Sequence, residues 1–414
     1  MTELGEIPSE WAISKIGELT EIKTGGTPST KCEKYWKDGD IPWMASGDVN
    51  KKIINEVDGR ITKSGMENSA AKLLPKDTVM IALNGQGKTK GTVAYLNIEL
   101  TCNQSLAGFL PSYNVFNSKY LYYNLQSRYF EIRGLAGDGA RNGLNLGLLR
   151  EILIPIPSIK EQEKIASILS TVDEQIDNVD ALIEKNKELK KGLMQTLLTK
   201  GIGHTKFKKS DIGEIPEAWE LFLLENVTER MIVGLATSVT EYYRESGIPI
   251  IRNMNIKNGY FDDSSMLYLD EKFANSMLGK TVKTNDVITV HTGSNIGLTC
   301  VVPKEYNEAH TFTTLITTTK RNLLNPEYLM YSINSEYGVN EINRLQVGGG
   351  KSNLNVKEFK LYRIAVPPIE EQEKIVSILK EVDKKINKYS KKKQLLEQVK
   401  TGLIQQLLTG KIRV

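Results

Sequence analysis

The chain has 414 residues, which is enough for two to four domains with cores of their own. Its composition, 40% hydrophobic and 25% charged, is typical of a soluble globular protein, and no stretch approaches the roughly 18 apolar residues of a membrane span. The N-terminus has neither the basic start nor the apolar run of a secretory signal. We therefore expect a cytoplasmic protein with no membrane contact.

The charge distribution and the cysteines argue against further classes of protein. The net charge of +4 comes from residues 367–414, which carry +5, while residues 1–157, 158–205 and 206–366 each lie within one charge of neutrality. No domain is basic throughout, so any nucleic acid would be held by local patches. The cysteines are isolated from one another and from histidine, which argues against a disulfide framework and against structural zinc.

The first globular part contains strand-like runs at 78–83 and 92–96. Between them, ALNGQGKT at 82–89 resembles a phosphate-binding loop, whose glycines let backbone amides cradle phosphate. The match fails at Ala82, where the first glycine belongs, and a strand-like run follows in place of the required helix. We interpret this segment as a lysine-bearing surface loop suited to touching backbone phosphate.

A long helix is predicted from Ser158 onward. Its apolar residues recur at alternating spacings of four and three, a heptad seam formed by Ile165, Leu169, Val172, Ile176, Val179 and Ile183. Ser158 and Glu161 predict a capping box, and Gly201 suits the C-terminus. The helix would run for about 40 residues, or about 60 Å. Such a seam can pack on its own domain or on a second seam.

Residues 201–211 are interpreted as a short flexible basic linker to a second globular part, with strand-like runs at 287–290 and 298–302. NPEY at 325–328 resembles the NPPY motif of amino-group DNA methyltransferases, but Glu327 replaces the second proline. Asn325, like Asn117 in the first half, precedes an apolar, tyrosine-rich run, which predicts a helix N-cap.

The histidines give no sign of catalysis. His204, His291 and His310 lie far apart in the sequence and belong to no visible constellation with serine, cysteine or carboxylate. We expect His291 and His310 to be hydrogen-bonding groups in loops. No glycine-rich fingerprint for a methyl donor and no nuclease-like cluster of carboxylates and lysine is visible either.

A second long helix repeats the first. EQEKIVSILKEVD at 371–383 matches EQEKIASILSTVD at 161–173 at 10 of 13 positions, an offset of 210, and GEIPEAW at 213–219 echoes GEIPSEW at 5–11. Pro367, Pro368 and Gly410 suit its ends. Its seam comprises Ile375, Leu379, Val382, Ile386, Tyr389, Leu396, Val399, Leu403 and Leu407.

This tandem duplication has two consequences. Because a globular part returns the chain between the helices, matching seams predict an antiparallel pair. Duplex DNA has a backbone dyad, and proteins that read it commonly use paired modules at a fixed spacing. The duplication thus favours a DNA-binding protein with two recognition modules over an enzyme with a single pocket.

Several motifs together resemble the specificity subunit of type I restriction-modification systems. They are the doubled GEIPxxW, IPW followed by GDVN at 41–50, NGLNLGLLREILIPIPSIKEQEKI at 142–165, SNLNVKEFKLYRIAVPPIEEQEKI at 352–375, and the endings GLMQTLLT and GLIQQLLTGKI. Each motif is weak alone, but the doubled series is specific and covers essentially the whole chain.

The resemblance implies an α+β fold: a tandem, pseudo-two-fold duplication of a mixed α/β target-recognition domain plus a long helix, with the two helices forming an antiparallel coiled coil. The corresponding ranges are 1–157, 158–205, 206–366 and 367–414. Each domain would read one half of a bipartite site in double-stranded DNA. The helices would set the spacing and dock two methylation subunits.

The resemblance also implies a non-catalytic chain without a cofactor. The methylation subunits, together with restriction subunits, would carry S-adenosylmethionine, ATP and Mg²⁺ and the corresponding chemistry.

DNA contacts are expected from polar side chains on loops, because arginine can grip guanine, and asparagine or glutamine adenine, through two hydrogen bonds. Candidates in the first half are Ser46, Asp48, Asn50, Lys51, Asn84, Gln86, Lys88 and Lys90. Candidates in the second half are Tyr243, Arg252, Asn253, Asn255, Lys257, Ser294 and Asn295. Arg141 and Lys351, aligned at an offset of 210 in glycine-rich segments, are candidates for positioning phosphate. The alternatives are solvated loop residues and, for the last two, a structural turn.

Two other functions compete with this prediction. A coiled-coil scaffold joining two protein-binding domains shares the duplication but predicts no salt-dependent affinity for DNA. A stand-alone methyltransferase requires a methyl-donor site that the sequence does not display.

Overall fold

The computed structural model describes residues 6–85, 87–137, 143–346 and 353–414. The chain divides into two compact units. The first unit spans Met1–Asp180 together with Lys391–Val414, and the second unit spans Ala181–Ser390.

The compact units cut across the four predicted ranges, because each long helix contributes to two cores. Leu169, early in the first helix, lies in the core of the first unit, whereas Met194, near the end of the same helix, lies in the core of the second unit. The second helix is divided in the same way, with Leu379 in one core and Leu407 in the other.

The first unit contains short strands and helices around the first globular half. Its strands are β1 Ala12–Lys15, β2 Ile22–Thr24, β3 Ile41–Met44, β4 Ile53–Ile54, β5 Arg60–Ile61, β6 Val79–Ala82, β7 Val93–Leu96, β8 Thr101–Cys102, β9 Leu106–Phe109 and β10 Leu153–Ile156. Its helices are α1 Ile16–Leu19, α2 Lys63–Glu67, α3 Ser118–Ser127, α4 Tyr129–Gly134, α5 Leu146–Arg150 and the first part of α6 Ile159–Leu197.

A five-stranded sheet, in the order β2-β9-β6-β7-β4, is the centre of this unit, and a three-stranded sheet, β5-β3-β8, accompanies it. Every residue of β6, β7 and β9 is buried, which explains their uninterrupted apolar runs. The predicted strands at 78–83 and 92–96 are confirmed as β6 and β7.

The second unit repeats this plan. Its strands are β11 Phe207–Ser210, β12 Gly213–Pro216, β13 Glu220–Leu223, β14 Thr228–Val233, β15 Tyr243–Arg244, β16 Ile248–Ile251, β17 Leu267–Leu269, β18 Val287–Val290, β19 Thr299–Val301, β20 His310–Thr311, β21 Thr314–Thr319 and β22 Arg363–Val366. Its helices are α7 Glu271–Asn275, α8 Pro326–Asn334, α9 Glu336–Leu345 and α10 Val356–Phe359. The last part of α6 and the first part of α11 Ile369–Leu407 also belong to this unit, and the rest of α11 belongs to the first unit.

Its two larger sheets have the orders β14-β21-β18-β19 and β15-β17-β16-β20. The parallel pair β3 and β8 of the first unit reappears as the parallel pair β16 and β20. The predicted runs at 287–290 and 298–302 are confirmed as β18 and β19.

Paired asparagine caps begin the helices that carry the tyrosine-rich runs. The side chain of Asn117 accepts from the backbone N–H of Tyr120, and that of Asn325 accepts from the N–H groups of Glu327 and Tyr328. Both predicted N-caps are confirmed. NPEY at 325–328 therefore serves as a helix start in this fold.

The long helices α6 and α11 each have 39 residues, close to the predicted 40. In the first unit Lys400 pairs with Asp173 at 2.6 Å and Lys393 with Asp180 at 2.7 Å, so the helix segments run antiparallel. In the second unit Lys190 pairs with Asp383 at 2.7 Å in the same register. The antiparallel pairing is thus confirmed in each unit, while supercoiling of the pair stays a prediction. Among the described residues no helix is long and apolar enough to span a membrane.

The seam is only partly as predicted. Its buried members are Ile165, Leu169, Val179, Ile183, Ile375, Leu379, Val382 and Leu407, and its half-buried members are Val172, Ile176, Ile386, Tyr389, Leu396 and Leu403. Val399 is 51% exposed. Seam residues that lie four positions apart are rotated by about 40° relative to each other around the helix. Val399 is two such steps from Leu407, so it points away from the face that Leu407 turns to the core.

Two local predictions are corrected. Ser158 Oγ accepts from the N–H of Glu161 at 3.3 Å, but the Glu161 carboxylate returns no bond to Ser158, because it binds Arg413 and Trp11 instead. The predicted flexible linker is also ordered, since Phe207–Ser210 is β11, paired antiparallel with β12.

Each unit has the same anchor at the start of its long helix. The Trp11 indole donates to Glu161 at 3.3 Å, and the Trp219 indole donates to Glu371 at 3.0 Å. Both tryptophans are buried, and each belongs to the doubled GEIPxxW motif. The third residue of this anchor differs between the units, as Arg413 binds Glu161 and His204 binds Glu371.

Candidate nucleic-acid interface

A polar turn follows the parallel strand in each unit. In the first unit the turn spans Ser46–Lys51, and Asp48 accepts from the N–H of Ala45 at 3.0 Å. In the second unit Asn255 accepts from the N–H of Arg252 at 2.9 Å in the same way. Val49 and Ile256 fix the two turns to the hydrophobic cores. The turns therefore present the polar residues between these anchors at a defined place on the sheet.

A glycine-containing loop follows the central strand of each unit. After β6, Gly85, Gly87 and Gly91 all have positive φ values, and after β18 so do Gly293 and Gly297. Since residues with a Cβ adopt these conformations rarely, glycine permits the tight reversals there. Each loop returns the chain to a strand, β7 or β19, so neither has the helix that a phosphate-binding loop of nucleotide enzymes requires.

A third segment meets this loop just before a short helix. The N–H of Leu144 donates to the carbonyl of Leu83 at 2.9 Å, and the N–H of Leu354 donates to that of His291 at 2.9 Å. In the second unit the polar turn also contacts the glycine loop, because Asn253 Nδ2 lies 3.4 Å from the carbonyl oxygen of Thr292. Turn, loop and helix start thus converge in that unit.

The comparisons with known proteins identify this duplicated scaffold. The family described as type I restriction modification DNA specificity domain matches the chain twice, over residues 8–189 and 216–398. The chain belongs to this family. Each of its two specificity domains contains one polar turn, one glycine loop and the greater part of one long helix.

Relatives match this pair of specificity domains over nearly the whole chain. The type I restriction enzyme MjaVIII specificity subunit of Methanocaldococcus jannaschii is 25% identical over 417 residues, covering 99% of this chain and 94% of the relative. The crystal structure of a type I restriction-modification S subunit from M. genitalium covers 98% of both chains with a TM-score of 0.62 at 17% identity.

A second solved chain comes from a structure described as the structural basis of complex assembly and conformational transition of the type I R-M system. It matches with a TM-score of 0.58 at 16% identity, covering 98% of this chain and 100% of that chain. The two structures share the fold of this chain.

The predicted DNA contacts of the first specificity domain differ in how exposed their side chains are. Asn50, Lys51, Asn84 and Lys88 are exposed, and Ser46 and Asp48 are half-buried. Lys90 is a correction: its side chain is buried, because the loop turns back into β7 there, so it does not reach outward as expected. Gln86 and Arg141 lie outside the described residues.

In the second specificity domain, Ser294 and Asn295 are exposed, and Tyr243, Arg252, Asn253 and Lys257 are half-buried. Asn255 is a correction. It is fully buried, and its amide is bound to the backbone of Arg252 and Asp262, so it holds the turn and offers nothing to a base. Lys351 lies outside the described residues.

His291 lies where the third segment meets the loop, and it was not among the predicted DNA contacts. Neither ring nitrogen of His291 has a hydrogen-bond partner in the described chain, nor do Nε of Arg252 and Oδ1 of Asn253 nearby. Burial lowers the pKa of His291, so the ring is neutral at neutral pH and has one donor and one acceptor. Buried polar atoms without partners are costly, and each requires a compensating contact with water, an ion or another molecule. Its place directly after a buried strand was the available signal.

His310 differs from the expected loop residue. It lies in β20, and its Nε2 is 3.0 Å from the carbonyl oxygen of Ala274. Burial lowers the pKa of this imidazole as well. His310 is therefore a core group of the second specificity domain and is absent from the convergent site.

Aromatic residues near the turns were also missed. Trp36 packs edge-to-face on Trp43 with ring centroids 5.2 Å apart, and the Trp43 indole donates to the carbonyl of Gly26. In the second domain Tyr242 stacks on Phe273 at 3.8 Å, beside the predicted Tyr243. A tryptophan among lysines in STKCEKYWK at 29–37 was the sequence signal for the first pair.

No cluster of three or more histidine, cysteine or carboxylate side chains with metal-binding geometry is found in ranges 6–85, 87–137, 143–346 and 353–414. Burial raises the pKa of both the Cys102 and Cys300 thiols to about 12, so neither is a thiolate at neutral pH.

Proposed function

We propose that this chain is the sequence-specific DNA-recognition subunit of a type I restriction-modification complex, and that each specificity domain reads one half of a bipartite site. The observation that carries this proposal is the repeated construction of one polar turn and one glycine loop on the same sheet scaffold, with different side chains in the two halves. Similar scaffolds with different loop chemistry suit the reading of two different sequences.

The long helices are proposed to set the spacing between the half-sites and to dock two methylation subunits. Restriction subunits are proposed to complete the complex. Support comes from the length of the helices and from their antiparallel register. The chain itself is proposed to be non-catalytic, with S-adenosylmethionine, ATP and Mg²⁺ used by the partner subunits. A cytoplasmic location is part of the same proposal.

In the second domain, Arg252, Asn253 and His291 are proposed to contact the bases. Asn253 on the turn reaches the loop of His291 through Thr292, and Arg252 Nε, Asn253 Oδ1 and both ring nitrogens of His291 lack partners within the described chain. In the first domain, Asn84 and Lys88 on the glycine loop and Asn50 on the turn are proposed to face DNA, because all three are exposed. Asparagine suits adenine, and lysine suits either guanine or phosphate.

The decisive experiment maps methylated sites in cells that carry the complete complex. Exchange of about residues 20–135 for those of a relative should change one half-site and leave the other intact. His291→Ala should relax only the half-site that this exchange leaves unchanged. If both half-sites change together in either variant, reading by separate domains is wrong. Absence of any salt-dependent DNA affinity in the assembled complex would favour a protein scaffold instead.

A further inference from the structure

One aromatic ring of the first unit points straight into solvent. Phe130, in the short helix α4, is 86% exposed, more than any other large apolar side chain in the described part of the chain. Ile132, two positions further on, is fully buried in the core. Two positions turn a side chain by about 200° around a helix, so Phe130 points away from the core that Ile132 anchors. A single exposed ring indicates no ligand by itself, so its neighbours decide what it can contact.

The helix that carries Phe130 is bound to the glycine loop after β6. The Tyr129 hydroxyl donates to the carbonyl of Lys88 at 2.9 Å, and the Arg133 guanidinium donates to the carbonyl of Lys90 at 3.0 Å. Tyr129 and Arg133 lie four positions apart and so share one face of the helix. The Phe130 ring packs edge-to-face on the Tyr129 ring, with centroids 5.1 Å apart. Phe130 therefore lies beside the loop that is proposed to face DNA.

The charge around the ring is positive. Lys88 is exposed on the loop, and Arg133 is half-buried between the loop and the helix. The carboxylate of the adjacent Glu131 is bound by two hydrogen bonds from Arg128, one of them 2.8 Å long, so its charge is compensated. An apolar ring among cationic side chains fits a polyanion that also displays apolar groups. Duplex DNA is such a ligand.

The second unit carries no side chain at this position. Counted from the capping asparagines of the two halves, Phe130 aligns with Gly338. A Cβ at Gly338 would collide with the carbonyl oxygen of Ser332, so no larger residue fits there. The preceding Tyr337 donates its hydroxyl to the carbonyl of Arg363 at 2.8 Å and not to a glycine loop. The exposed ring thus belongs to one half of the duplication, as expected of a contact with one half of a bipartite site.

We propose that Phe130 contacts the bases of the half-site that the first specificity domain reads, by packing its ring on thymine methyl groups in the major groove. The ring has no hydrogen-bond donor or acceptor, and the apolar group that base pairs display in this groove is the thymine methyl group. Lys88 meets the phosphates at the edge of the same groove, while Tyr129 and Arg133 are positioning residues that hold helix and loop together. The inference rests on the proposed function and adds to it a contact residue and the group that the residue recognises.

The surroundings of Phe130 favour DNA over a partner protein. The centre of a protein–protein interface is a contiguous apolar surface that is depleted in charged residues. Phe130 has instead Lys88 and Arg133 on the adjoining loop and helix face, and an ion pair of its own helix on the other side. Contact with a protein is kept as an outcome of the test.

The test uses the complete complex and fluorescent duplexes that contain its mapped site. Each thymine of this half-site is replaced in turn by uracil, which lacks only the methyl group, and binding is measured by fluorescence anisotropy. With the unaltered chain, uracil at one or more positions should weaken binding about fourfold, as expected when one methyl group is no longer buried. With Phe130→Ala, the thymine and uracil duplexes should bind equally at those positions.

Two controls accompany this measurement. Leu135→Ala removes a side chain that is 41% exposed at the end of the same helix, and it should leave the effect of uracil unchanged. Uracil in the other half-site should act equally on the unaltered chain and on Phe130→Ala.

The proposal is wrong if uracil acts equally on both chains at every position of the first half-site. It is also wrong if Phe130→Ala fails to assemble with the methylation subunits, a result that would assign the ring to a protein interface. Reading of the other half-site and the salt dependence of DNA binding do not involve Phe130. They therefore test the proposed function independently of this inference.

Discussion

The Lys400 ammonium lies 2.6 Å from the Asp173 carboxylate and 5.5 Å above the Tyr123 ring, whose hydroxyl donates to the same carboxylate. One carboxylate thus joins α11, α6 and α3 within the first unit. Lys190, Asp383 and Tyr331 repeat this arrangement in the second unit, with the roles of α6 and α11 exchanged. Register and docking of the helices therefore depend on a small set of shared charges.

Asp173→Ala should lower the free energy of unfolding of the first unit by about 1–3 kcal/mol, because it leaves the partly buried Lys400 ammonium and the Tyr123 hydroxyl without their acceptor. Chemical denaturation followed by circular dichroism measures the change. Lys63→Ala is the control, since it removes an exposed pair with Glu67. Equal midpoints for the two variants would contradict the role of the triad.

Leu379→Ala should destabilise the second unit by about 2–5 kcal/mol, because this side chain is fully buried in the core between the helix and the globular half. The adjacent Ile378 is 38% exposed and provides a matched control, for which we expect a much smaller loss. Thermal unfolding of the two variants distinguishes them. A larger loss for Ile378→Ala would mean that α11 packs through a different face.

Acidification should destabilise the second unit between about pH 7 and pH 5. The folded state lowers the pKa of His291 and His310 by burial, so the unfolded chain takes up protons first as the pH falls through about 6.5. Unfolding free energy should therefore decrease over this interval, above the range in which carboxylates titrate. The variant His291→Gln, His310→Gln should show a flatter pH dependence. An unchanged slope would contradict titration of these rings.

Lys88→Ala should weaken DNA binding by the assembled complex almost uniformly across sequences and should reduce the salt slope of log K by about one, as expected for loss of one phosphate contact. Binding measured at several salt concentrations tests this. Lys160→Ala, on the exposed side of α6, is the control and should leave the slope unchanged. A change of sequence preference in place of the slope would assign Lys88 to a base.

Insertion into the helices should alter the spacing between half-sites by one or two base pairs. Four residues add about 6 Å to a helix, and duplex DNA rises about 3.4 Å per base pair. The antiparallel register places Glu184 opposite Tyr389, so both helices need the insertion there if the contacts of Asp173 and Asp383 are to survive. Methylation mapping of the double insertion gives the spacing. An active variant with unaltered spacing would reject the ruler, and a single insertion should impair assembly.

The sequence predicts the repeated elements well because they are governed by local rules. Apolar runs give β6, β7 and β18, asparagine caps begin α3 and α8, and heptad spacing gives two helices of nearly the predicted length. These features need no knowledge of distant partners. The lysine-bearing loop after β6 was likewise placed correctly on the surface, at Lys88.

What the sequence hides depends on contacts across long separations. Glu161 reads as half of a capping box, yet its carboxylate is bound by Arg413, 252 residues away. Ile176 and Ile386 have the spacing of central seam residues, but both are half-buried, whereas Leu169 and Leu379 are fully buried. Lys90 and Asn255 have the composition of DNA contacts, and only packing removes them from the surface.

The discontinuous first unit affects how the chain folds during synthesis. Residues 181–390 form a contiguous unit that can be completed once they have left the ribosome, whereas the first unit also requires Lys391–Val414. At about 5–20 residues per second, synthesis of the intervening segment takes on the order of ten to forty seconds. During that time Trp11 and Leu169 lack the part of their core that Leu407 and Leu408 supply. We therefore expect the nascent first half to expose apolar surface until synthesis ends, and such surface is what chaperones bind.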